Sequence, residues 1–106
     1  MEKIKGYDNY YIDEEGNIYK ALILKNALKL PTKVFRDVKV SKSSNGSKKV
    51  TLEGKTHLVH RLVYNTFKDE EYRGEIVFID DNKNNCNLDN LVSIDDVIEF
   101  YRKHHQ

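Results

Sequence analysis

Aromatic and β-branched residues alternate near the start of the chain. Tyr10-Tyr11-Ile12 and Ile18-Tyr19 flank Asp13-Glu14-Glu15-Gly16-Asn17, so the pattern predicts a β-hairpin closed by a Gly/Asn turn. Val34 to Val40 alternates loosely and predicts a strand, and Ser41 to Ser47 is a polar loop with an Asn-Gly turn signal. Val50-Thr51-Leu52, Glu53-Gly54 and Lys55 to Val59 predict a second hairpin. Val59, Leu62, Val63 and Phe67 then fall at helical spacing, so a short amphipathic helix starts near His60. Lys68 to Gly74 is a charged connector, and Ile76 to Ile79 is a short apolar strand. Asp80 to Asn90 is an Asn/Asp-rich loop of the kind whose side chains satisfy local backbone groups. Leu91 to Ile94 is extended or leads into the last helix. Ser93 with Asp96 three residues on resembles a capping box, and Val97, Ile98 and Tyr101 give that helix an apolar face. The expected fold class is α+β in one domain, with residues 1–47 and 48–106 as its two parts.

Composition changes this picture in two places. The one cysteine, Cys86, excludes an internal disulfide and a cysteine-built zinc site. The net charge of +1 hides a segregated distribution. Lys20 to Arg61 holds eleven Lys/Arg against Asp37 and Glu53, a net +9, whereas residues 1–19 carry −3 and residues 62–106 carry −5. The basic stretch reads either as a phosphate-binding face or as a solvated lysine-rich surface. No apolar run reaches the length of a membrane span, and MEKIKGYDNYY lacks the apolar core of a signal peptide, so a cytoplasmic protein without a membrane partner is expected.

Three stretches together resemble a phage-type HNH homing endonuclease. The first is Ile4-Lys5-Gly6-Tyr7 with Tyr10-Tyr11-Ile12 and Gly16-Asn17-Ile18-Tyr19, similar to the small module that often precedes such nucleases, with Met1 where that module has Trp. The second is Val50-Thr51-Leu52, Gly54-Lys55 and Val59-His60-Arg61-Leu62-Val63. The third is Ile79-Asp80, Asn82-Lys83, Asn85, Leu88 and Asn90-Leu91, which follows the pattern H-I-D-G-N-K-x-N-N-x-L-x-N-L. The resemblance implies a hairpin-and-helix (ββα-metal) core clasping one divalent cation such as Mg²⁺, two short helices, and hydrolysis of a DNA phosphodiester by a water activated beside that cation.

Carried over residue by residue, the resemblance implies a lost site. Phe78 stands at the general-base His and Val77 at the metal-ligating Asp; neither side chain ligates a metal or accepts a proton. Asp81 stands at the loop Gly and Cys86 at the second loop Asn. Asn90 keeps the middle Asn, and Glu99 falls at the closing-helix ligand. No catalytic residue and no cofactor are expected. A base relocated to His57 or His60 remains an alternative, as does a cation attracted by Asp80 and Asp81. His104 and His105 read as a frayed helix end. Phe78 has two readings: turned inward to extend the core, or partly exposed as an anchor for a protein partner.

The leading expectation is a catalytically inactive, HNH-like protein of phage or mobile-element origin, working in the host bacterial cytoplasm. It would bind double-stranded DNA mainly through phosphates, with Lys42, Lys48, Lys49, Lys55 and Arg61 as the contacts. No DNA-reading module follows the last helix, so sequence-specific binding is not expected. The alternatives are a phage protein-binding module that inhibits or redirects a host or defence protein, and an active metal-dependent nicking endonuclease.

Overall fold

Left-handed backbone closes the hairpins where the sequence places Gly. Glu53 and Gly54 both take positive φ (50° and 85°) between the paired residues Leu52 and Lys55, the two-residue turn whose twist matches that of the strands it joins. Gly16 (φ 88°) and Gly46 (φ 90°) close the Asp13–Asn17 and Ser43–Ser47 turns, in which their N–H groups reach the carbonyls of Asp13 and Ser43 at 3.1 and 3.0 Å.

The computed structural model describes residues 1–25 and 31–104; Lys29 and His105 lie outside the described residues. The architecture is α+β with antiparallel pairing throughout. The first sheet runs β1 (Glu2–Lys3), β2 (Tyr10–Ile12), β3 (Ile18–Lys25), β4 (Pro31–Asp37) in spatial order. The second holds β5 (Ser41–Lys42), β6 (Lys48–Leu52) and β7 (Lys55–Leu58), which leads directly into α1 (Val59–Phe67). A last hairpin of β8 (Ile76–Phe78) and β9 (Leu91–Ser93) is followed by α2 (Ile94–His104). Among the described residues no helix is long and apolar enough to cross a membrane.

One buried cluster draws on all three sheets. Ile4, Tyr10, Ile12 and Ile18 meet Val50 and Leu52 of β6, Val59, Val63 and Tyr64 of α1, and Ile76, Cys86 and Leu91. The first hairpin is keyed to the Asn-rich loop by close approach. A Cβ on Gly16 would lie 3.0 Å from Cys86 Cβ and 3.2 Å from Val59 Cγ1, and the Leu88 N–H donates to Glu14 O at 2.7 Å.

Two expected boundaries move. The strand expected at Val34 to Val40 is Pro31–Asp37, because its register comes from pairing with β3 (Lys25 with Pro31, through Tyr19 with Asp37). Ser41 and Lys42, expected in the loop, pair with Lys49 and Lys48 as β5. The outer half of the β3–β4 ribbon carries exposed apolar side chains: Ile23 is 62 % and Leu24 53 % exposed. The molecule is accordingly elongated, 68 × 27 × 21 Å, with a radius of gyration of 16.8 Å, against about 13 Å for a compact chain of this length.

Candidate functional site

The β8–β9 hairpin and α2 form the strand–loop–strand–helix segment that holds the positions singled out in the sequence. Phe78 pairs with Leu91 and Val77 with Val92, and both Val77 and Phe78 are half-buried. The Phe78 ring meets the His60 ring edge-on, centroids 4.8 Å apart. His60 is itself buried, and its Nδ1 makes no hydrogen bond. Burial, with help from the neighbouring Arg61 charge, pushes its pKa down to about 4, so the imidazole is neutral at pH 7. Phe78 therefore shares in the packing around α1, and Ile79, next to it, is 65 % exposed.

The loop between β8 and β9 is organised around Asp80 and Asn90. Asn90 accepts at Oδ1 from the Asp80 N–H (3.0 Å) and donates from Nδ2 to Asp80 Oδ1 (2.9 Å) and Asn85 O (3.0 Å). Asp80 also accepts from the Asn82 N–H (2.8 Å) and from Asn85 Nδ2 (2.9 Å). Bonds from Asn85, Asn82 and Asn90 hold its carboxyl below the usual range. Asp80 is thus an acceptor hub that closes the loop. Asp81 sits at φ 60°, the left-handed region that suits Gly, and a short polar side chain tolerates it. Glu99 lies on exposed α2 and pairs with Lys103 at 3.3 Å. Among the described residues no group of three or more His, Cys, Asp or Glu is placed to hold a metal ion. Cys86 is buried between Gly16 and the loop, which pushes its thiol up despite the Lys48 charge.

The basic residues divide into two groups. Arg61 is used inside the fold: its guanidinium donates to Gly74 O at 2.6 Å and lies over the Tyr72 ring, fastening the connector to α1. Lys42, Lys48, Lys49 and Lys55 surround the second sheet, with Lys42 and Lys55 exposed and Lys48 and Lys49 half-buried. Register puts Lys42 directly opposite Lys48 and, on the ribbon, Lys20 directly opposite Arg36. Like charges in such pairs repel, and none of these four is ion-paired among the described residues. Lys33 joins the ribbon's basic surface, donating to Tyr11 OH at 2.8 Å. Lys83 reaches Asn45 O at 3.3 Å, which joins the Asn-rich loop to the β5–β6 turn.

A cleft of about 650 Å³ lies between the first strand and α1, bordered by Lys3, Lys5, His57, Arg61, Asn65 and Arg73. Much of its polar lining is already engaged: Lys5 with Glu70, His57 Nε2 with Tyr7 OH at 2.6 Å, Arg61 with backbone carbonyls. It is a seam between elements.

Sequence reasoning missed the His60–Phe78 contact, the Asp80 hub, the structural use of Arg61 and the Lys20–Arg36 opposition. The Asp80 hub had a signal in the density of Asn around it; the others depend on register and long-range packing. No family model matches the sequence, and neither a curated protein nor a solved structure matches it.

Proposed function

We propose that this chain is a non-catalytic relative of phage-type HNH homing endonucleases that binds double-stranded DNA mainly through its phosphates. The observation that carries the reading is the two pairs of opposed cations, Lys20 with Arg36 on the first sheet and Lys42 with Lys48 on the second. Opposed cations weaken a sheet, and phosphates taken up by the two cations of each pair, one apiece, offset that repulsion. Phosphates along a duplex provide such anions at regular spacing. The protruding β3–β4 ribbon adds Lys25 and Lys33 on exposed backbone, and Asp37 alone opposes them on that element.

Loss of catalysis follows from chemistry at the hairpin. A hydrolytic site of the resembling kind needs a base and an oxygen ligand on the first strand, where Phe78 and Val77 stand. Asn90 retains a loop-closing role without them. The alternative of a protein-binding module anchored by Phe78 is less favoured, because Phe78 is half-buried against His60.

Fluorescence anisotropy with a random duplex tests the reading, using the double variant Lys42→Gln with Lys48→Gln. The change should leave the fold as stable or more stable by about 0.2–1 kcal/mol, since a repulsive pair is removed. Duplex affinity should nevertheless fall several-fold across unrelated sequences. Equal affinity for wild type and variant would contradict the reading.

A further inference from the structure

Pairing fixes which side chains share a face of the first sheet. Tyr11 stands directly opposite Lys3 on one side and Tyr19 on the other, and Tyr19 stands opposite Asp37. Two residues further out along the ribbon Phe35 stands opposite Ala21, and two further again Lys33 stands opposite Ile23. Directly opposed residues, and residues two apart along a strand, point to one face. Tyr10, Ile12 and Ile18 take the alternate positions and are buried in the core. Tyr11, Tyr19 and Phe35 thus lie on the face turned away from the core, and among the described residues none of the three packs against the buried cluster. Phe35 is 45 % exposed, and the two tyrosines are half-buried.

The rings are held in place, and the charge lies among them. Tyr11 OH accepts from Lys33 Nζ at 2.8 Å, and Tyr19 OH donates to Asp13 Oδ2 at 3.0 Å. The Tyr11 and Phe35 rings meet edge-to-face, centroids 5.2 Å apart, and Lys33 Nζ lies 4.7 Å from the first centroid and 5.5 Å from the second. Beyond Tyr19 the paired positions of this face hold Lys33 and Lys25 and no carboxylate. We propose that this face binds an unpaired nucleic-acid strand, with a base stacked on Phe35 and phosphates on Lys33 and Lys25. Every base has a π face, and rings interleaved with cations form a sequence-tolerant platform for it. Rings already fixed through their hydroxyls lose little freedom on binding. Asp13 and Asp37 border Tyr19 and repel phosphate, so the strand follows Tyr11 and Phe35 outward along the ribbon. A duplex does not fit this face, because its bases are covered by their own stack. A second copy of the chain would set lysines against lysines on the outer half. The inference does not rest on duplex binding: the opposed Lys20 and Arg36 lie on the other face of the ribbon, and Lys25 and Lys33 are the cations that both ligands would meet.

The chain has no Trp, so Phe35→Trp puts a single strong fluorophore on the platform. Short oligo(dT) should quench its emission at low salt, and the full wild-type chain should bind labelled oligo(dT) in fluorescence anisotropy. Phe35→Leu keeps an apolar side chain without a ring. It should weaken oligo(dT) binding about fivefold or more, with its melting curve and its affinity for a random duplex unchanged. Oligo(rU) in place of oligo(dT) separates RNA from DNA as the source of the strand, and ring-dependent binding of either supports the proposal. No oligonucleotide binding at low salt would overturn it. So would binding that ignores Phe35→Leu, a loss shared equally by strand and duplex, or Phe35→Trp emission unchanged by saturating oligo(dT). Vesicles of phosphatidylcholine with phosphatidylglycerol that shift that emission to the blue, while neither oligonucleotide quenches it, would show a lipid surface as the occupant and overturn it too. Loss of duplex binding alone, with oligo(dT) still bound through Phe35, would count against the duplex reading and support this one.

Discussion

Replacing Asn90 by Ala removes three hydrogen bonds from the β8–β9 loop while leaving the backbone bonds of residue 90 in place. The Asp80 N–H loses its acceptor, and Asp80 Oδ1 and Asn85 O each lose a donor. Asn90 is only 7 % exposed, whereas its partner Asp80 is exposed and Asn85 is half-buried. At about 0.5–1.5 kcal/mol per lost bond, with partial rescue of exposed Asp80 by solvent, the cost is about 2–3 kcal/mol. For a domain of this size that lowers Tm by about 10–20 °C. Asn90→Asp sharpens the test, because it swaps the Nδ2 donor for an oxygen 2.9 Å from Asp80 Oδ1 and so opposes two carboxylates. That repulsion raises the folded-state carboxyl pKa, so the variant's deficit is full at neutral pH and shrinks as acid protonates the pair. Wild-type Asp80, whose pKa is depressed, loses its own contribution as pH falls through its folded value, so the gap closes from both sides. Thermal melts by circular dichroism at pH 7 and pH 4 measure the first effect, and melts below Asp80's ordinary value of 3.8 measure the second. An Asn90→Ala melt within a degree or two of wild type, or an Asn90→Asp deficit that grows in acid, would refute the assignment of Asn90 as the clamp.

Gly16→Ala should cost about 2–3 kcal/mol in urea unfolding, since it imposes a left-handed backbone on a side chain whose Cβ meets Cys86 and Val59. Buried His60, with a folded pKa of about 4 against an ordinary 6.5, makes the unfolded state bind the extra proton. Stability should therefore be fully present above pH 6.5 and decline as pH falls toward 4, and His60→Phe should flatten that window in denaturant titrations. Purified protein should not nick supercoiled plasmid with Mg²⁺ or Mn²⁺; nicking abolished by Glu99→Ala or His60→Ala would show a rebuilt site.

The hairpins and both helices were legible because each is specified locally. Gly16, Gly46 and Gly54 mark turns that need positive φ, and Ser93 with Asp96 marks the start of α2. Asn90 was legible only through the spacing of the Asn-rich loop. What escaped the sequence depends on pairing between distant strands. The reach of β4 back to Pro31 follows from β3, and the opposition of Lys20 with Arg36 follows from that register. That Arg61 bonds Gly74 O and lies over the Tyr72 ring escapes the sequence too, because charge says nothing about which carbonyls lie within reach. Phe78 had been open between core and surface, and it lies between them, with one face on a His60 ring whose burial no local pattern reveals.

The salt dependence of duplex binding tests the central claim most directly. If Lys20, Arg36, Lys42 and Lys48 each neutralise one phosphate, the log–log slope is about −3.6, and affinity falls about 100-fold between 50 and 200 mM salt. Lys42→Gln with Lys48→Gln should reduce the slope to about −1.8 without loss of fold. Binding that is absent at low salt, or a slope unchanged by the double substitution, would contradict the account.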